Sequence, residues 1–314
     1  MSSAATTAAP ANDVLGYGFA IAGSVLFATK GIFIKLAYGY GVSTEILLAL
    51  RMLVALPVYL LILVTLLRRN PELRARLTLS ILLPSMLVGI LGYYISSYLD
   101  FAALNYITAQ YGRLVLFTYP FFVVLFGALF FGQRFDWRML PGMFIAYLGL
   151  MLIFGWSLAE TPDGLMLGTA LVLTAAVTFA FYQLLAKRQI GRLGSGFFTC
   201  IAMSTAAVCA LAHAGLSGGV AAFEALDPMV WVLGLGLGIF ATVLPSFFMN
   251  AAIDRVGPRA NSATAALGPV VTTIFAALLL SEPFTLYHAA GTALVILGST
   301  LFGRAERQAR HRKS

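Results

Sequence analysis

Ten stretches of low charge and high apolarity follow one another along this chain, at approximately 15–37, 46–67, 79–103, 107–131, 139–157, 165–186, 195–216, 228–252, 259–280 and 286–303. A helix that crosses a bilayer needs about 20 predominantly apolar residues, and each stretch meets that length. In hydrocarbon every backbone polar group must find its partner inside the protein, which restricts spanning segments to helices or closed barrels. The unbroken apolar runs lack the alternation a barrel requires. The connections are too short for a soluble domain. Composition agrees: 60% of the 314 residues are apolar and only 10% are charged, against about 25% charged in soluble domains. An ordinary soluble enzyme, a disordered chain and a fibrous protein are excluded. Two cysteines, Cys200 and Cys209, both inside one apolar run, exclude a disulfide scaffold. The fold class is therefore an all-α polytopic membrane protein with ten transmembrane helices.

The net charge of +8 takes its meaning from where the bases lie. Arg68, Arg69, Arg74 and Arg76 fall in the 2–3 connection, and Arg134 and Arg138 in the 4–5 connection. Lys187, Arg188 and Arg192 fall in the 6–7 connection, and Arg255 and Arg259 in the 8–9 connection. Arg304, Arg307, Arg310, Arg312 and Lys313 close the chain. Ten spans put all of these on one side. The 5–6, 7–8 and 9–10 connections carry Glu160, Asp163, Glu224, Asp227 and Glu282 and no base. The positive-inside rule then places both termini in the cytoplasm. The bases orient the chain, so the charge does not argue for nucleic acid. The expected partners are the lipid bilayer and a small-molecule substrate, in an oligomeric state the sequence leaves open.

The two halves superimpose in sequence. At an offset of 149, residues 97–149 match 246–298 without gaps, pairing Ser97 with Ser246, Pro120 with Pro269, Gly142 with Gly291 and Gly149 with Gly298. Prolines and glycines coinciding at one register indicate duplication. Five spans is an odd number, so the second copy lies upside down. Such inverted repeats are the architecture of secondary transporters, with the substrate site near the midplane and access alternating as the halves rock.

The repeat ends carry a family resemblance: Tyr119-Pro120 through GQRFDWRMLPG to Gly149, and Gly268-Pro269 through SEPFTLYHAAG to Gly298. With them the chain resembles the EamA-type transporters of the drug/metabolite transporter superfamily. The resemblance implies ten helices in two inverted five-helix repeats, here 15–157 and 165–303, between an N-terminal segment 1–14 expected to be disordered in the cytoplasm and a basic cytoplasmic tail 304–314. It also implies export or import of amino acids, other metabolites or drugs, in a bacterial inner membrane. The family's Gly-Glu pair appears as Ser281-Glu282 in the second half, but as Gly132-Gln133 in the first.

Four bases remain inside the spans: Lys30, Lys35, Arg51 and Arg113. A charge deep in a bilayer persists when it is paired or faces water. Lys35 is close enough to a helix end to snorkel. Asp100 is the acid placed to pair with Lys30, Arg51 and Arg113, with Glu45 shallower. Two readings stand: a gate or substrate-carboxylate contact, and a fixed ion-pair cluster tying the first four helices together. The equivalent positions in the second half are Tyr182, Met203, Met249 and Ser262, so the cluster belongs to one half.

Largely polar residues at helical spacing form stripes: Thr174, Thr178 and Tyr182; Ser246, Asn250 and Asp254; Tyr93, Ser97 and Asp100; Asn261, Thr264 and Gly268; Gln110, Arg113 and Thr118. Unpaired polar side chains are unfavourable against lipid, so the stripes turn to other helices or to a wet cavity. A central cavity drawn from Ser24, Lys30, Tyr94, Ser97, Thr118, Thr178, Tyr182, Ser246, Asn250 and Thr264 is expected, with hydrogen bonding between helices as the alternative for each. Pro120 and Pro269 interrupt their helices at equivalent points, as paired hinges or as static kinks.

No cofactor, metal site or catalytic group is expected. His213, His288 and His311 are read at loops or the tail, no HExxH occurs, and no Ser/His/Asp set meets in a span. Aromatics beside the stripes favour amphiphilic cargo. The expected function is secondary transport of small amphiphilic metabolites, exported amino acids first among them, with multidrug efflux on the same fold as the alternative.

Overall fold

The computed structural model describes residues 14–71, 78–132, 136–160, 163–217, 221–249 and 267–311, with residues 252 and 255. Besides the short turns at Trp137–Met139 and Ala221–Glu224, these form ten longer helices, taken here as α1 (Val14–Tyr38), α2 (Thr44–Arg69), α3 (Leu79–Ala103), α4 (Ala109–Phe130), α5 (Leu140–Glu160), α6 (Leu165–Leu193), α7 (Ser195–Ser217), α8 (Pro228–Met249), α9 (Leu267–Leu279) and α10 (Leu286–His311). Among the described residues, nine helices are long and apolar enough to cross a membrane, and α9 is a shorter apolar helix. The expected ninth span began at 259, and residues 256–266 lie outside the described ones. So do residues 1–13, at the expected disordered end. Helix α10 runs on to His311, well into the segment read as a tail.

Polar residues start the helices. The Ser43 hydroxyl accepts from the Ile46 N–H ahead of α2, and Thr108 does the same for the Tyr111 N–H ahead of α4. Asp227 accepts from Met229 N–H at 2.7 Å, with Pro228 in the first turn of α8. Each cap satisfies a donor that has no partner inside the helix.

Helix pairing carries the repeat into three dimensions. α5 packs along α10, α2 along α7, and α4 along α9. α3 meets α6 and α7, while α8 meets α1 and α2; α4 meets α6, while α9 meets α1. Exchanging the halves (α1 for α6, and so on) maps each of these pairings onto another or onto itself. Local irregularities repeat as well. α3 opens into a π-helical segment at Ile90–Ile95 and α8 into one at Ile239–Val243, which begin 149 positions apart.

The largest apolar cluster fills the half of the bundle that carries the acidic connections. It joins Ile46 to Leu50 of α2, Phe101 of α3, Leu114 of α4, Ala210 and Ala214 of α7, and Val230 and Leu237 of α8. That end is termed the acidic end here, and the opposite one the basic end.

Candidate functional site

The charged side chains sit on the inner margin of that cluster. Lys30 Nζ donates to Asp100 Oδ2 at 2.5 Å, and Lys30, Asp100 and Arg51 are 8%, 5% and 5% exposed. Arg51 reaches from the first half into the second: its Nε donates to Thr242 Oγ1 at 2.7 Å, and Nη1 lies 3.4 Å from Ser97 Oγ. Thr242 stands in the π-helical segment of α8, and its hydroxyl donates to the Leu237 carbonyl at 3.0 Å. That one hydroxyl is satisfied in both directions. π-helical segments recur at functional sites because they re-aim side chains.

Breaks in α1 and α4 shape the neighbouring wall. At Thr29 the ladder of α1 slips: Ile32 N–H bonds the Thr29 carbonyl, and the Ala28 carbonyl instead accepts from the Thr272 hydroxyl of α9 at 2.9 Å. In α4 the turn at Phe117 and Thr118 precedes Pro120, which lacks an N–H and opens the second segment of the helix. Arg113 lies one turn before this break. Its guanidinium carbon stands 4.8 Å from the centroid of the Phe27 ring, and its Nε is sealed from solvent with no hydrogen-bond partner. Arg113, Lys30 and Asp100 line one cavity of about 20 Å³ with Phe27, Gly31 and Thr272, a volume near that of a single water.

The structure thus brings together Lys30, Arg51, Ser97, Asp100 and Arg113. Ser24 is buried on α1. Tyr94 points elsewhere, to His213 Nδ1 at 2.8 Å. Thr118 and Thr178 bond carbonyls of their own helices. Tyr182 donates to Tyr93 at 2.8 Å, and Ser246 bonds Tyr59 at 2.9 Å, both across the two halves. Pro269 is buried near the start of α9. Asn250 and Thr264 lie outside the described residues. Contrary to the reading at loops, His213 lies within α7 and His288 within α10. Sequence reasoning missed Phe27, Thr242 and Thr272.

At the acidic end the 9–10 connection is fastened onto α4. Glu282 accepts from the backbone N–H groups of Ala109 and Gln110 at 2.6 and 3.2 Å, and Gln110 Nε2 donates to the Pro283 carbonyl at 2.9 Å. Burial raises the Glu282 carboxyl above its ordinary range, against the pull of those N–H groups and of Lys35. A second tie at this end runs from Tyr98 to Glu45 at 2.8 Å.

Comparison with known proteins agrees with this architecture. The model of the EamA-like transporter family matches residues 14–155 and again 166–304. The chain is 27% identical over 276 residues to the uncharacterized transporter YcbK of Bacillus subtilis, covering 87% of this chain and 88% of that one. It is 26% identical over 222 residues to the aromatic amino acid exporter YddG of Salmonella typhimurium, covering 67% of this chain and 72% of that one. A solved crystal structure superposes with a TM-score of 0.60 at 20% identity, over 91% of this chain and 96% of its own, a likeness of fold.

Proposed function

The chain belongs to the EamA-like transporter family, and from that premise we propose that it exports small amphiphilic carboxylates, amino acids among them, by alternating access between its two inverted halves. It is an integral membrane transporter of the drug/metabolite type. The observation that carries the proposal is the Arg51–Thr242 bond, because it sets the buried charges where the two halves meet, the place an inverted-repeat carrier holds its cargo. An exporter of aromatic amino acids among the relatives supports the cargo class.

In this reading the acidic end faces out of a bacterial inner membrane and both termini face the cytoplasm, following the loop charges. The continuous apolar cluster and the Glu282 contacts close the outer side. No ATP-binding loop occurs in the sequence, so in this reading a gradient or a partner drives the cycle.

Counterflow in proteoliposomes with labelled amino acids and related carboxylates tests the proposal. Exchange of a preloaded cargo is the expected result. Absence of exchange for every compound, together with growth protection by the protein against toxic drugs, would replace it with drug efflux.

A further inference from the structure

Lys30, Arg51 and Arg113 share the buried centre with one carboxylate, Asp100, among the described residues, three positive charges against one negative. The negative charge is already engaged, since Asp100 is bonded to Lys30. Arg51 is held by two neutral hydroxyls. Arg113 has the face of Phe27 against it and a sealed Nε with no acceptor. Gly268 of α9 makes the space: a Cβ built there would stand 2.9 Å from Arg113 Nη2. A buried guanidinium N–H without an acceptor is unfavourable, and an anion that arrives can supply that acceptor. A guanidinium with a ring against it and one unmatched N–H can donate to an arriving carboxylate oxygen in a charge-assisted hydrogen bond.

We propose that Arg113 is the anchor for a cargo of net negative charge, a carboxylate whose molecule carries no ammonium group to balance it. The inference rests on the transporter reading above and narrows its cargo. A zwitterionic amino acid would bring its ammonium among three cations while the one acid there among the described residues is occupied by Lys30, and such like-charge contacts are penalised. A 2-hydroxy acid, or an N-acylated amino acid, brings the same carboxylate and side chain without that penalty. The Phe27 ring and the Leu104 and Leu116 side chains that line the cavity favour an apolar body behind the carboxylate.

The test uses the full chain in proteoliposomes and two matched pairs: L-phenylalanine with 3-phenyllactate, and L-leucine with 2-hydroxy-4-methylpentanoate. Each pair differs in an ammonium against a hydroxyl. The hydroxy acids are expected to exchange at least about tenfold faster than their amino acids, the size of one charged hydrogen bond. Arg113→Gln should remove that preference, and Arg113→Lys should keep it at a lower rate. Each variant is checked for a monodisperse gel-filtration peak. If Arg113→Gln does not fold, the wild-type preference and Arg113→Lys still decide. Amino acids exchanging as fast as the hydroxy acids, or Arg113→Gln leaving hydroxy-acid exchange unchanged, would overturn the inference and leave the transporter reading standing. Exchange of none of the four compounds would overturn the inference, and the carboxylate reading falls with it only if the wider panel above also fails to exchange.

Discussion

Gly142 and Gly298 meet backbone to backbone: a Cβ on Gly142 would stand 2.7 Å from the Gly298 carbonyl oxygen, and one on Gly298 would stand 2.5 Å from the Gly142 carbonyl oxygen. Gly149 and Gly291 repeat the contact, at 2.5 and 2.7 Å. Exchanging the halves turns one pair into the other, since Gly142 corresponds to Gly291 and Gly149 to Gly298. Small residues let membrane helices approach this closely, and the crossing holds α5 to α10.

Gly142→Ala or Gly298→Ala is therefore expected to lower thermal stability in detergent, by roughly 1–3 kcal/mol as overpacking does. The facing atoms are backbone and have little room to retreat. Gly155 lies in the same helix with nothing within 4 Å of its Cβ position, so Gly155→Ala should be neutral or slightly stabilising. Equal melting temperatures for Gly142→Ala and Gly155→Ala would show that the crossing is not tight.

Thr242 supports Arg51 through one hydroxyl. Thr242→Val keeps the shape and leaves the buried guanidinium short of an acceptor. The expected cost is about 1.5–3 kcal/mol, the range for a hydrogen bond to a charged group, while Thr242→Ser should retain most of the stability. Thermal unfolding of the three proteins decides it. A Val variant as stable as the wild type would mean that Arg51 finds another partner.

These residues also mark what a sequence of this kind discloses. Spans, their order and their duplication are legible because about twenty apolar residues per crossing is a physical requirement, and because Pro120, Pro269 and the paired glycines stand out against Ala and Leu. The Lys30–Asp100 pair is legible because so few charges lie within the spans. Thr242 and Thr272 are not, because a threonine in an apolar run usually bonds its own helix, as Thr178 and Thr205 do. A π-helical segment leaves no periodic trace, and the slip at Thr29 that turns the Ala28 carbonyl towards Thr272 is a property of packing. Tyr94 enters the expected cavity by its place beside the stripe of Tyr93, Ser97 and Asp100, yet it turns to His213, whose place inside α7 the loop assignment obscured.

Glu282 ties the acidic end, and its equivalents in the other half cannot make the same tie. At the offset of 149, Gln133 corresponds to Glu282 and Pro258 to Ala109. A neutral amide replaces the carboxylate, and a proline has no N–H to donate. At these equivalent positions the carboxylate and one of its two N–H donors are missing. Glu282→Gln should open the acidic end more often. A cysteine placed at Leu104, which is 3% exposed beneath that end, should then react several-fold faster with an impermeant maleimide than in the parent. An unchanged rate would show that Glu282 does not hold the closure.

The same carboxyl gives a pH dependence with a definite sign. Its folded pKa is raised by burial, so in the window above the ordinary carboxylate range the folded state binds more protons than the unfolded one. Stability then falls as pH rises through that window. The groups facing Glu282 are the N–H groups of Ala109 and Gln110 and the Lys35 ammonium, none of which reverses the shift. The melting-temperature difference between wild type and Glu282→Gln should shrink from pH 4.5 towards pH 7. A difference that grows with pH would mean that the tie favours the ionised acid.

Pro120 and Pro269 remain the candidates for movement. Pro120 follows a turn that already interrupts α4, and Arg113 lies on the segment before it. Pro269 sits near the start of α9, beside the Gly268 that receives the Arg113 side chain. Bending at either proline therefore moves a wall of the cavity that holds Arg113 without stretching an intact ladder of hydrogen bonds. Because the two positions are exchanged by the repeat, each should serve the opening of one end. Pro120→Ala and Pro269→Ala are expected to slow counterflow several-fold while leaving cargo-induced thermal stabilisation close to that of the wild type, since alanine restores a backbone donor and stiffens the helix. Each variant should also impair one direction of reorientation more than the other, which accessibility labelling at the two ends can separate. Wild-type counterflow in both variants would reduce the prolines to fixed kinks that only shape the cavity.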